Sequence, residues 1–70
     1  MIITKVICNN GYGYAVGESV LDPMSGNKEI ASIVEHRAKG DGDKWYYDVI
    51  YTDDCFTRLF DVIKAEYREV

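Results

Sequence analysis

Few residues in this chain have the type and spacing that chemistry needs. His36 is the single histidine. No serine, cysteine or acid stands beside it in sequence to suggest a nucleophile and its base. A satisfied or exposed structural role is the plainer reading of it. Cys8 and Cys55 are the two cysteines. They lie too far apart for a C-x-x-C redox or zinc motif and are too few for a disulfide framework. Both read as buried free thiols, since unpaired cysteine behaves as a small hydrophobe. Asp41-Gly42-Asp43 echoes a calcium loop but lacks its third oxygen ligand and closing glutamate, so a solvated acidic loop is expected. Gly11-Tyr12-Gly13 is too short to cradle a phosphate. The chain therefore suggests no catalytic residue, no metal and no cofactor, and we expect a protein that is not an enzyme.

The aromatic residues remain. Asp43-Lys44-Trp45-Tyr46-Tyr47-Asp48-Val49-Ile50-Tyr51-Thr52-Asp53-Asp54 carries four of them within seven positions. Strand alternation puts Trp45, Tyr47, Val49 and Tyr51 on one face and Tyr46, Asp48, Ile50 and Thr52 on the other. An unpaired buried carboxylate is costly, so the face of Asp48 should be the wetter one, with Tyr46 exposed beside it. The first face should be core, because large rings fill a small interior efficiently. Candidate binding residues are then Tyr46, Trp45 at the mouth of the strand, Tyr12 and Tyr14 from the N-terminal loop, and the carboxylates Asp48, Asp53 and Asp54, with Asp41 and Asp43 nearby.

The elements that must position these residues are mostly strands. Ile2–Cys8 is rich in β-branched residues. Asn9–Gly13 is turn chemistry. Tyr14–Asp22 is extended, with Gly17 marking a bulge or bend. Asp22–Asn27 contains Pro and Gly at β-turn positions. Lys28–Ala38 fits neither a strand nor a helical period cleanly, and its flanking loops and β-branched residues favour strand. Lys39–Lys44 is a polar hairpin loop. In the tail, Phe56, Leu59, Phe60, Ile63, Tyr67 and Val70 recur with helical spacing, and Asp54 could cap such a helix. The rival is a strand over 55–60, a tight turn at 61–63 and a last strand over 64–69.

Seventy residues form one domain, 1–70, at most. A chain with 47% hydrophobic and 29% charged residues is globular in composition. The net charge is −4, and the eight Lys and Arg residues are scattered singly. Without a basic stripe, nucleic acid and anionic membrane are poor partners. A basic protein surface suits the field better. No stretch approaches a membrane span, and the N-terminus lacks the pattern of a signal peptide, so a cytoplasmic protein is expected. An open strand edge, either Ile2–Cys8 or the last strand, could template a homodimer.

From Tyr14 to Glu69 the order of motifs resembles the small SH3-like barrels, the architecture of Tudor and KOW domains. Y-A-V-G-E-S-V-L-D is similar to their opening. W-Y-Y-D-V-I-Y-T-D-D resembles their central W-Y-x-x-V-x-Y-x-D-G hairpin, with Asp54 where glycine is usual. R-L-F-D-V-I-K-A-E-Y resembles their closing strands. The resemblance implies a mainly β fold: a small antiparallel SH3-like barrel with Ile2–Cys8 as an extra strand along an edge. The alternative is a four-stranded antiparallel sheet with a C-terminal helix at about 55–69. The Tudor resemblance also implies a cage of rings for a methylated Lys or Arg, drawn from Trp45, Tyr46 and Phe56 with Tyr12 or Tyr14, beside Asp48 or Asp53. The functional expectation is an acidic, non-enzymatic module that binds a basic protein or peptide. The KOW resemblance gives the alternative, a nucleic-acid-associated accessory protein, although KOW domains tend to be basic.

Overall fold

The computed structural model describes residues 1–22, 24, 26–37, 40 and 45–69, with Asp22 in backbone only. Among the described residues every regular element is a strand: β1 Ile2–Cys8, β2 Gly13–Ala15, β3 Ser19–Asp22, β4 Gly26–His36, β5 Tyr46–Tyr51, β6 Phe56–Leu59 and β7 Val62–Arg68. They form two antiparallel sheets, ordered β2-β1-β7 and β3-β4-β5-β6. The result is a small barrel-like all-β fold. The expected loop at 39–44 lies outside the described residues except for Gly40, as do Pro23 and Ser25 of the expected loop at 22–27.

One extended segment joins the sheets. β2 pairs with β1, and β3 pairs with β4. Gly17 turns the corner between them at φ +92°, a conformation that glycine adopts without steric cost. Backbone hydrogen bonds fix the corner to both sheets. The Val16 N–H donates to Thr4 O, the Gly17 N–H to Ile30 O, and the Ile30 N–H to Glu18 O, each at 2.9 Å.

Ile2–Cys8 is not an edge addition. It is the middle strand of its sheet, between β2 and β7. Its residues explain why: Ile3, Val6 and Cys8 are all buried in the core. A register shift at Thr4 lets Ile3 and Val6 face inward although they are three residues apart. The remaining core is Ile30, Ile33, Val49, Tyr51 and Leu59, against which Tyr14, Val20, Tyr47, Val62 and Ala65 pack.

The C-terminal helix does not form. Residues 56–59 and 62–68 are strands, separated by a turn at Phe60 and Asp61. Of the described residues with helical spacing, Phe56, Phe60, Ile63 and Tyr67 are exposed and only Leu59 is core, Val70 lying outside the described residues. That stripe had no interior to face, and the aromatic and β-branched residues in it pair well as strands.

Candidate functional site

The outer surface of β4, β5 and β6 gathers the most distinctive side chains. Cross-strand register places Ser32, Ile50 and Phe56 in one row and Val34, Asp48 and Arg58 in the next. His36 and Tyr46 are opposite each other in the third row, where Phe60 also reaches the Tyr46 ring at 5.7 Å. This surface follows from alternation, since Val49, Tyr51 and Leu59 turn the other way into the core.

Asp48 sits at the centre and is buried, contrary to the wetter environment expected for it. The reason is that its partners cover it. The Arg58 Nε–H donates to Asp48 Oδ1 at 2.9 Å, and Nη2 donates to Oδ2 at 3.3 Å. His36 Nε2 lies 3.2 Å from the same Oδ2. A two-point guanidinium–carboxylate contact compensates the desolvated charge. Its hydrogen bond also holds the Arg58 pKa above the ordinary value.

The Tyr46 ring is caught between neighbouring strands. His36 stacks on it at 4.4 Å with planes 13° apart. Arg58 lies over it, with Cζ 4.4 Å from the ring centre. Tyr46 is therefore half-buried rather than freely exposed. Arg58 also lies 5.5 Å from the Phe56 ring centre. Phe56 and Phe60 remain 57% and 62% exposed, giving an aromatic surface around a fixed guanidinium. Sequence alone did not place His36, Arg58 and Phe60 among the candidate binding residues. Their signal was present: Phe56, Arg58 and Phe60 alternate on one face, and antiparallel pairing sets Arg58 opposite Asp48.

Trp45 stands apart from Tyr46. It is 49% exposed and has Arg37 Cζ 5.3 Å from its ring centre. It lines an open groove of about 340 Å³ with Glu35, Tyr47, Tyr67 and the start of β7. There the Tyr67 hydroxyl donates to Glu35 Oε2 at 3.1 Å, and Arg37 Nε donates to Oε1 at 3.2 Å.

Tyr14 and Asp53 belong to the opposite end of β5. Tyr12 and Tyr14 pack at 4.8 Å between ring centres. Tyr14 lines a cavity of about 340 Å³ with Val20, Lys28, Tyr51, Cys55 and Thr57. Asp53 Oδ2 lies 3.1 Å from Lys28 Nζ. The Cys55 backbone N–H and then Lys28 hold the Asp53 carboxyl below its ordinary value, and Asp53 in turn raises Lys28. Asp54 occupies the turn at φ 70°. Cys55 is exposed here, against the expectation of two buried thiols, while Cys8 is buried. The turn between β5 and β6 gives Cys55 no core to enter.

The candidate residues therefore fall into three groups. Tyr46 and Tyr51 are separated by five residues of strand, about 17 Å. One compact cage cannot hold Tyr46, Tyr14 and Asp53 together. Among the described residues no three His, Cys, Asp or Glu side chains are arranged to hold a metal ion. No helix of the described residues is long and apolar enough to cross a membrane. Comparison with protein-family models, curated proteins and solved structures gives no match. Fold and geometry define the class: a small all-β protein with an aromatic outer surface.

Proposed function

We propose that this chain is a non-enzymatic, cytoplasmic interaction module that binds a basic protein or peptide on the outer surface of β4, β5 and β6. We also propose kinship with the SH3-like barrels, which the bent β2–β3 segment and the β1–β7 pairing support. The observation that carries the functional reading is Phe56 and Phe60, more than half exposed on either side of Arg58. Exposed rings clustered on one face are typical anchors for a partner. The rings of Tyr46 and Phe56 already accommodate one guanidinium, that of Arg58. A second cation approaching Phe56 or Phe60 meets the same ring electrostatics. The net charge of −4 favours its approach.

Titration with arginine- and lysine-rich peptides, against acidic peptides of equal length, tests the reading. Saturable binding of the basic peptides, weakened by salt, is expected. The double variant Phe56→Ser/Phe60→Ser should melt as the parent does and lose that binding. Equal binding by parent and variant, or none by the parent, overturns the proposal.

A further inference from the structure

The free edge of β7 has a self-complementary sequence. β7 pairs with β1 on one side and, among the described residues, with no strand on the other. At seven residues it is the longest edge strand, against three for β2 and four each for β3 and β6. Short edges are poor templates for pairing and long ones good. The open groove beside Trp45 is bordered by Ile63, Lys64 and Ala65, so this stretch of the edge is accessible.

The backbone facing that groove can be assigned. The Thr4 hydroxyl donates to Glu66 O at 3.2 Å, so the Glu66 carbonyl is on the β1 side. Alternation turns the peptide groups of Ala65 and Tyr67 to the free side. In the segment Lys64-Ala65-Glu66, a two-fold axis at Ala65 sets Lys64 opposite the partner's Glu66, and Glu66 opposite the partner's Lys64. Regular pairing runs from Lys64 to Arg68, since Ile63 is the extra residue at a register shift in β7 and lies outside the proposed ladder. The Ala65 pair then carries the exchanged backbone hydrogen bonds. The Lys64–Glu66 pairs fall at non-hydrogen-bonded positions, where side chains lie closest. Centring the axis on Lys64 or Glu66 would instead oppose like charges.

We infer that the partner of this edge is a second copy of the chain, joined antiparallel through β7 about Ala65 into a continuous sheet β2-β1-β7-β7-β1-β2. The inference does not depend on the binding proposed for the outer surface of β4, β5 and β6.

Sedimentation equilibrium of the intact protein, with circular dichroism to verify folding, tests it. The parent should move from one to two chain masses as concentration rises. Lys64→Glu alone sets two acids opposite each other, and Glu66→Lys alone sets two lysines. Each should weaken self-association roughly tenfold or more. A mixture of the two variants restores both opposite-charge pairs and should form a heterodimer. A parent that stays monomeric, single variants that associate as the parent does, or a mixture that does not associate would each overturn the inference.

Discussion

Asp48 shows how a residue's partners decide its environment. A carboxylate on an outward face should seek water. Here Arg58 and His36 close over it, and Tyr46 is held in the same contacts. Asp48→Ala should therefore cost more than an ordinary surface change. It removes charge-assisted hydrogen bonds and leaves Arg58 without its acceptor. Because Arg58 is partly exposed, water recovers some of the loss, and about 1–2 kcal/mol is expected. Urea denaturation of Asp48→Ala against the parent measures it, and a change below about 0.5 kcal/mol would show the contact to be incidental. Asp54 gives the opposite sign. Its φ of 70° is the left-handed conformation, which glycine adopts more readily than any other residue. Glycine relieves about 1–2 kcal/mol of strain but loses more unfolded-state entropy. Asp54→Gly should thus stabilise by up to about 1 kcal/mol, read from the same denaturation midpoint.

Within elements, irregularities explain both what was legible and what misled. The alternation of β5 could be read directly, because Tyr47, Val49 and Tyr51 all turn to the core. β4 gave mixed periods for a physical reason. Its ladder shifts register at Ala31, so Ile30 and Ile33 are both buried three residues apart. The same device brings Ile3 and Val6 inward in β1, and Val62 and Ala65 in β7. A bulged strand therefore imitates the i, i+3 spacing of a helix. The helical spacing of the tail has a different origin: it runs mostly through Phe56, Phe60, Ile63 and Tyr67, which the strands leave exposed. The candidate site was only half legible. Tyr46 and Asp48 could be chosen from alternation, but Arg58 and His36 join them through pairing between strands distant in sequence. Gly17 was readable as a bend, and its role as the corner between sheets makes a firm prediction. Gly17→Val adds a branched side chain at φ +92°. Space is not the obstacle, since a Cβ there meets nothing within 4 Å. Backbone strain alone should cost at least about 1–2 kcal/mol. An unchanged melting temperature would show that the corner tolerates a different conformation.

At the scale of the molecule, a chain this short has a small stability margin, about 4–10 kcal/mol for its length. Its interior must therefore stay neutral and closed, and alkaline pH tests that. Burial raises the Cys8 thiol above its ordinary 9.0, with Asp61 adding to the effect. Burial also raises the Tyr14 phenol above its ordinary 10.0. The folded chain thus keeps these protons to higher pH than the unfolded chain does. Their contribution to stability is intact below pH 9.0 and is lost as pH rises through the folded-state values. The midpoint of urea unfolding should fall between pH 9 and 11 while circular dichroism at zero urea stays native. The Cys8 thiol reports opening independently, with Cys55 as the exposed reference. Cys55 is exposed and Cys8 buried, so a thiol-specific reagent at neutral pH should modify Cys55 at once and Cys8 only as the barrel opens. Cys55→Ser removes the fast phase and leaves the slow one, whose rate should climb with pH as stability falls. A Cys8 phase as fast as that of Cys55 would mean that β1 opens freely. The middle strand of the three-stranded sheet would then not be holding the core together.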